Sequence, residues 1–257
     1  MQCPGHDELV GLLREARHIL VFTGAGISTG SGIPDFRGPN GVWTKRSPVY
    51  FEEFMTSPFK RREYWEYKVE AWDAFSAARP NRTHVAIADL ERQGRLGALV
   101  TQNIDGLHQA AGLADDRVIE IHGTNRLVEC VACGVRGAPE PAIAAFRETG
   151  EVPTCAACAG WLKFATISFG QGLRPEVLEH ALQEAASADL VLALGSTLSV
   201  HPAASIPLVA VKRGAPYVVV NRGETDHDKL ATLRLEGDVA DIVPPAVAEL
   251  SPPRARA

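Results

Sequence analysis

The stretch that decides the fold reads Thr23-Gly-Ala-Gly-Ile-Ser-Thr-Gly-Ser-Gly-Ile-Pro-Asp-Phe-Arg-Gly38. It follows a short apolar run from His18 to Phe22, which predicts a buried strand. Glycines after a strand let the backbone turn and approach a ligand closely, and Ser28 and Thr29 are candidate N-caps for a following helix. A strand, a glycine loop and a helix N-terminus together predict a phosphate cradle.

The glycine spacing departs from the usual dinucleotide fingerprint. The loop reads Gly24-x-Gly26-x-x-x-Gly30, and no acidic residue about 20 positions further on ends a second strand to hold a ribose. A tight turn without a ligand therefore stays open as an alternative. The following Asp35-Phe36-Arg37 suggests that the segment also covers a ligand, whereas core packing of Phe36 and a surface ion pair of Arg37 are the simpler interpretations.

Length and charge narrow the classes of function. The chain has 257 residues and a formal net charge of -5, which fits one large domain or a main domain with an insert and gives no basis for binding nucleic acid or an anionic membrane. No apolar run approaches the roughly 20 residues of a membrane span, and the N-terminus does not read as a signal peptide. We therefore expect a cytoplasmic protein, in a reducing compartment where clustered cysteines bind metal more often than they form disulfides.

Predicted strands alternate with predicted helices along most of the chain. Such alternation predicts an α/β fold with a Rossmann-like, doubly wound parallel sheet covered on both faces. The predicted strands are 18–23, 97–101, 117–121, 189–194 and 216–221, and the predicted helices are 7–17, 49–78, 83–93, 175–187, 201–213 and 239–249.

Two Cys-x-x-Cys pairs indicate a metal site. Cys130 and Cys133 form the first pair, Cys155 and Cys158 the second, and the glycines and prolines between the pairs suit a small loop-rich ribbon. Four thiolates complete a tetrahedral structural Zn²⁺ site and leave no open position for catalysis. Two disulfides or four free thiols are the alternatives.

Polar residues follow the predicted strands 97–101 and 117–121. Gln102, Asn103 and Asp105 could contact ribose hydroxyls or an amide, although Asn103 or Asp105 could instead cap a helix. His122 could move a proton near neutral pH, although a lone histidine is usually structural. We expect His108 to be packed or at the surface.

The two later strands end in similar polar turns. Gly195-Ser-Thr197 resembles a second phosphate or ribose contact, and Asn221 could meet an adenosine ribose. An ordinary strand-to-helix turn is the alternative at both places.

Taken together and in this order, the motifs resemble the sirtuin family of NAD-dependent protein deacylases. The likeness runs from about residue 7 to residue 249 and includes the glycine loop, the Pro34-Asp-Phe-Arg-Gly38 segment, Gln102-Asn-Ile-Asp105, His122-Gly123 and both cysteine pairs. The stretch from Gly38 to Thr44, with Trp43, resembles the class IV subgroup. The resemblance implies one catalytic domain over 1–257, with a large lobe at about 5–40, 82–123 and 166–250. It implies a small lobe made of a helical insert at about 41–81 and a zinc module at about 124–165.

The resemblance also implies the ligands and their sites. The cofactor would be NAD⁺, with one structural Zn²⁺, and the partners would be acylated-lysine proteins or peptides. His122 and Asn103 would be catalytic, and the acyl-lysine peptide would bind at Ile167, Phe169, Gly170 and Ser199. The residues implied to contact NAD⁺ are Gly24, Ala25, Gly26, Thr29, Asp35, Phe36, Arg37, Trp43, Gln102, Asn103, Ile104, Asp105, His122, Gly195, Ser196, Thr197, Asn221 and Val239.

The chain departs from the family pattern at one place. Many sirtuins have Phe-Gly-Glu after the zinc module, whereas Gln171 stands here in the acidic position. Backbone pairing with a peptide needs no particular side chain, so the departure concerns preference for basic flanking residues. A protein mono-ADP-ribosyltransferase and a non-catalytic binding module for NAD or acyl-lysine are the alternative functions.

Overall fold

A six-stranded parallel sheet forms the centre of the protein in a computed structural model, which describes residues 4–35, 41 and 47–250. The strands are β1 Ile19–Thr23, β2 Leu96–Thr101, β3 Val118–Glu120, β7 Leu190–Leu194, β8 Tyr217–Asn221 and β9 Leu233–Glu236. The sheet order is β3-β2-β1-β7-β8-β9. After β1 the chain builds one side of the sheet and later returns to build the other side, so the loops after β1 and β7 diverge at a topological switch point.

Helices cover both faces of this sheet. On one face pack α1 (His6–Glu15), α4 (Arg82–Arg92) and α9 (Val239–Ala248). On the other face pack α7 (Pro175–Ser187) and α8 (Pro207–Lys212). Every residue of β1, β2 and β7 is buried, as expected for strands covered on both faces.

A second, antiparallel sheet belongs to the cysteine-bearing segment. Its order is β5-β4-β6, formed by β4 (Gly123–Cys130), β5 (Arg136–Gly137) and β6 (Leu162–Thr166). It packs with α2 (Phe51–Thr56), α3 (Pro58–Ala77) and α6 (Pro139–Thr149) around an aromatic core. The Trp65 indole in this core donates to Leu162 O at 3.0 Å, which joins α3 to β6.

The predicted Rossmann-like parallel sheet is confirmed, but two helix predictions are wrong in extent. The predicted helix 49–78 is two helices, because Ser57 caps a new helix by accepting from Lys60 N at 3.3 Å, with Pro58 in its first turn. The predicted helix 201–213 becomes α-helical only at Pro207, after a short 3₁₀ turn at Ala203–Ser205.

The predicted elements do not include the one-turn helix α5 (Leu107–Ala110), the helix α6, the edge strand β9 or the three strands β4, β5 and β6 of the second sheet. The expected loop-rich ribbon between the cysteine pairs therefore contains an eleven-residue helix. It buries Ile143 and Phe146 against the aromatic core, and Gly150 ends it in the left-handed conformation. Within the ranges that the structure describes, no helix is long and apolar enough to cross a membrane.

Candidate active site

Two glycine-containing turns meet at the carboxyl ends of β1 and β7. Gly26 N donates to Gly195 O at 2.8 Å, and Gly24 N donates to Leu194 O at 3.0 Å. A Cβ atom on Gly26 would lie 2.8 Å from the Gly195 backbone, and one on Gly195 would lie 2.6 Å from Ile27 N. Since real Cβ atoms do not approach other atoms so closely, the contact requires glycine on both sides. It brings two sets of backbone N–H groups to one edge of the sheet.

The expected helix cap after the glycine loop is wrong. The loop continues as two short 3₁₀ turns, Ala25–Ile27 and Thr29–Ser31, and neither has a side-chain cap. The Ser28 hydroxyl donates to Asp105 Oδ2 at 2.7 Å, and the Thr29 hydroxyl donates to Gly26 O at 3.1 Å. Any phosphate bound here would meet turn backbone and hydroxyl groups, not the end of a long helix.

Gln102 and Asn103 fasten the next loop to this edge. The Gln102 side-chain amide donates to Ser196 Oγ at 2.8 Å. The Asn103 amide donates to Gly24 O at 3.1 Å and to Ser28 Oγ at 3.2 Å, and Asn103 is buried. The amide pair that follows β2 therefore links the loops after β1 and β7 into one structure.

Asp105 bonds the start of a helix, which resembles the capping alternative considered for it. Its Oδ1 accepts from Leu107 N, the first residue of α5, at 3.0 Å, and its Oδ2 accepts from Ser28. Burial raises the pKa of Asp105, and these hydrogen bonds oppose the rise. The carboxyl group is thus held in a fixed orientation beside the glycine loop.

His122 is placed by backbone on both sides. Its Nδ1 lies 3.1 Å from Gln102 O, and its own carbonyl accepts from Ile167 N at 2.8 Å. A carbonyl oxygen only accepts, so Nδ1 carries the proton of the neutral ring and the lone pair is on Nε2. Gly123 follows with φ +72°, where a Cβ atom would lie 2.1 Å from Ala165 O, so the turn after His122 requires glycine.

His108 is a packed histidine, as expected. Its ring is 1% exposed, and Nε2 lies 3.1 Å from the hydroxyl of buried Thr23, which also donates to Thr101 at 2.8 Å. Burial, together with the nearby His84, lowers the pKa of His108 well below its usual value. His108 therefore stays neutral and supports the ends of β1 and β2.

A single cavity of about 1010 Å³ joins these groups. Phe36, Arg37 and Trp43 lie outside the described residues, and Ser199 does not line the cavity. The other predicted cofactor residues that line it are Gly24, Ala25, Gly26, Thr29, Asp35, Gln102, Asn103, Ile104, Asp105, His122, Gly195, Ser196, Thr197, Asn221 and Val239. The predicted peptide residues Ile167, Phe169 and Gly170 line it too.

The predicted peptide-binding segment leaves β6 as a tight turn. Phe169 O accepts from Phe51 N at 2.9 Å. Gln171 closes the turn, because its N–H donates to Ser168 O at 3.0 Å and its side-chain oxygen accepts from Ser168 N at 3.1 Å. Gln171 therefore shapes this turn, through an acceptor oxygen that a glutamate would also provide. Exposed Ser199 hydrogen-bonds with Thr197 at 2.8 Å instead of facing the cavity.

Sequence reasoning missed Lys68 and Asn125, which also line the cavity. The Lys68 ammonium donates to Asn125 Oδ1 at 2.9 Å and lies 5.1 Å from the centre of the Phe164 ring. Burial and the nearby Lys163 ammonium lower the pKa of Lys68 to about 7. The signal in the sequence is weak, because Lys68 lies in a helix already rich in charged and aromatic residues.

The four cysteines come together as predicted. Their sulfur atoms all lie within 4.8 Å of one another, with Cys130 Sγ to Cys158 Sγ at 3.4 Å and Cys133 Sγ to Cys155 Sγ at 3.8 Å. A tetrahedral zinc ion with Zn–S bonds of about 2.3 Å would separate its sulfurs by about 3.8 Å. These spacings fit a closed Zn²⁺ site and are too long for disulfide bonds.

The fold and the site define an α/β protein with a dinucleotide-sized cavity at a switch point and a cysteine-built zinc module. The Sir2 family profile matches residues 24–202. A protein from Rhodopseudomonas palustris named NAD-dependent protein deacetylase is 40% identical over 243 residues, covering 95% of this chain and 96% of the relative. NAD-dependent protein deacetylase 1 from Bradyrhizobium diazoefficiens is 42% identical over 243 residues, covering 95% of each chain.

Solved structures agree with these sequence matches. A Sir2 structure with a p53 peptide and NAD⁺ has a TM-score of 0.85 and 38% identity, covering 94% of this chain and 97% of the other. A Sir2 variant with deacetylated p53 peptide and 3′-O-acetyl-ADP-ribose has a TM-score of 0.88 and 39% identity, covering 97% and 98%. The chain belongs to the Sir2 family, the sirtuins.

Proposed function

We propose that this chain is an NAD⁺-dependent protein-lysine deacetylase that yields nicotinamide, free lysine and O-acyl-ADP-ribose. One observation carries the proposal: the 1010 Å³ cavity unites the glycine turns, the Gln102–Asp105 segment, His122 and the segment at Ile167. The names of the relatives and the peptide and NAD⁺ complexes of the Sir2 structures support it.

The cavity fits NAD⁺ by its chemistry. The backbone contact at Gly26 and Gly195 leaves no room for side chains, which suits close approach of a pyrophosphate. Thr197 would add a hydroxyl there. Asn221 and the backbone near Val239 would hold the adenosine half, and Asp105 with the backbone of Ile104 would hold the nicotinamide carboxamide.

NAD⁺ supplies an activated ribose carbon, to which the acyl oxygen bonds as nicotinamide leaves. The chain's own contribution is mainly alignment and exclusion of water, because this step needs an oriented bond more than a strong base. Asn103 and Gln102, already fixed by Gly24 and Ser196, would orient the ribose. Phe36 would cover the reacting atoms.

His122 would then accept a proton from a ribose hydroxyl at Nε2. The Nδ1 hydrogen bond to Gln102 O keeps the ring in the required tautomer. The acyl-lysine peptide would extend along the segment from Ile167 to Gly170 by backbone pairing.

The test is incubation with an acetyl-lysine peptide and NAD⁺, followed by mass spectrometry. We expect the peptide to lose its acetyl group as nicotinamide and O-acetyl-ADP-ribose accumulate in equal amounts. A peptide or protein that gains ADP-ribose would instead support a mono-ADP-ribosyltransferase, and binding without turnover would support a binding module. We also propose a cytoplasmic location, because a cluster of four cysteines that could bind zinc is more usual in a reducing compartment.

A further inference from the structure

The loop at residues 221–228, called here the adenosine-side loop, follows β8 and forms one wall of the cavity. Asn221, Arg222, Gly223 and Glu224 line that wall. Most of this wall is solvent-exposed, so burial alone does not fix its shape. The loop is held by hydrogen bonds, and one side chain outside the cavity supplies three of them.

That side chain is Arg234 on the edge strand β9. Its Nε donates to Asp228 Oδ1 at 2.8 Å, and its Nη2 donates to Gly223 O at 2.6 Å. Its Nη1 donates to Asn221 O at 3.1 Å and also to Leu235 O. One planar guanidinium group therefore holds the first and last residues of the loop together, which a lysine could not reproduce.

Asp228 connects the Arg234 guanidinium to a further residue of the loop, Thr225. Its Oδ1 accepts from the Thr225 hydroxyl at 2.6 Å, and its Oδ2 accepts from Thr225 N at 3.2 Å. Burial acts to raise the pKa of Asp228, but the Thr225 and Arg234 donors outweigh it, so the pKa lies below its usual value. The carboxylate is thus kept ionised opposite the guanidinium.

The adenosine-side loop is also hydrogen-bonded to the side of the cavity where the phosphates would lie. Asp226 N donates to Thr197 O at 3.1 Å, which joins the loop to the turn after β7. His227 is buried and its Nδ1 lies 2.9 Å from the hydroxyl of buried Tyr217. A shift of the loop would therefore move both Asn221 and the Thr197 turn.

We propose that Arg234 is a positioning residue for the adenosine half of NAD⁺, acting through the adenosine-side loop without touching the ligand. Arg234 does not line the cavity, so it has no contact of its own to lose. The inference rests on the proposed function. The affinity for the adenosine half would then depend on the ion pair between Arg234, on the edge strand β9, and Asp228, which does not line the cavity.

The experiment measures ADP-ribose binding by calorimetry for the wild type, Arg234→Met, Arg234→Lys and Asp228→Asn. We expect the Kd to rise about tenfold in Arg234→Met and Asp228→Asn, with a smaller rise in Arg234→Lys. The double variant Arg234→Met/Asp228→Asn should have a Kd little above that of either single variant, because both substitutions break the same group of hydrogen bonds. In turnover, KM for NAD⁺ should rise far more than kcat falls, and nicotinamide inhibition should change less than ADP-ribose binding.

Arg92→Met is the matched control, because Arg92 pairs with Asp89 at the exposed surface of α4 and away from the cavity. Thermal melting of each variant separates loop movement from unfolding. Two outcomes would overturn the positioning role of Arg234 and leave the proposed function standing. One is unchanged ADP-ribose affinity in the folded variants, and the other is loss of affinity only in variants that no longer fold. A wild type that binds no ADP-ribose would overturn the proposed function as well.

Discussion

The Nδ1 atom of His122 lies 3.1 Å from the backbone oxygen of Gln102, so the loop after β2 sets the tautomer of the histidine that follows β3. These two loops leave neighbouring parallel strands, and Ile121 N donates to Thr101 O at 3.0 Å just before them. The sheet register therefore fixes the relation between the proposed base and the amide segment that would orient the ribose.

His122→Ala should lower kcat for deacetylation by about 10² to 10⁴, the usual range for a positioned general base. The reason is loss of the proton acceptor at Nε2. Nicotinamide and O-acetyl-ADP-ribose formation, followed by mass spectrometry, would measure it. A folded His122→Ala variant with wild-type kcat would rule out His122 as the base.

The contact between Gly26 and Gly195 should tolerate no side chain. Gly195→Ala would place a Cβ atom 2.6 Å from Ile27 N at φ +62°, so we expect the free energy of unfolding to fall by about 1–3 kcal/mol and NAD⁺ binding to weaken. Chemical denaturation and calorimetry would measure the two effects. Equal stability of this variant and the wild type would contradict the close approach.

Gly11→Ala is the matched control. Gly11 lies inside α1, and a Cβ atom there meets nothing within 4 Å. The same chemical change should therefore raise the free energy of unfolding, by about 0.5–1 kcal/mol, because alanine loses less backbone entropy in a helix.

The sequence predicts the central sheet well because its signals are local. The strand β7 is apolar along its whole length, and β1 and β8 are apolar up to their last residues, Thr23 and Asn221. The polar residues at or after these strand ends reach the same sheet edge by the geometry of parallel strands. The edge strand β9, Leu233–Glu236, was missed because it has only four residues, too few for its alternation of apolar and charged side chains to indicate a strand. The helix α6 was missed because the glycines and prolines around it favour loops, although Ile143 and Phe146 have helical spacing.

The details of the site depend on contacts between residues that are distant in the chain. Ser28 has the local preference of a helix cap, yet its hydroxyl bonds Asp105, 77 positions away. Lys68 reaches Asn125 across 57 positions. Neither partner can be identified from local propensity, since the first contact needs β1 and β2 paired in the large sheet and the second needs α3 packed beside β4 of the second sheet.

The four-cysteine cluster should bind one zinc ion per chain. Cys133→Ser should abolish stoichiometric zinc and increase amide hydrogen exchange in β4, β6 and α6, because the closed site joins the two turns of this module. The central sheet should keep its protection. Elemental analysis and hydrogen-exchange mass spectrometry would measure both effects, with Cys3→Ser, outside the quartet, as the control; full zinc content in Cys133→Ser would contradict the assignment.

Lys68 should make stability depend on pH. Burial and the Lys163 ammonium lower its pKa to about 7 in the folded state, whereas the unfolded chain keeps a value near 10.5. Between these values the unfolded state binds more protons, so this lysine makes the free energy of unfolding rise with pH, by up to about 1.4 kcal/mol per pH unit. Lys68→Met should flatten that rise between pH 7 and pH 10.

Denaturant titrations of the wild type and Lys68→Met at several pH values would measure the difference in slope. Lys60→Met is the matched control, because Lys60 lies on the same helix, does not line the cavity, and has its pKa raised by the hydrogen bond of its ammonium to Glu63. It should keep the wild-type slope. If Lys68→Met also keeps it, the Lys68 ammonium is protonated in the folded protein throughout this range, and the cavity carries a permanent positive charge.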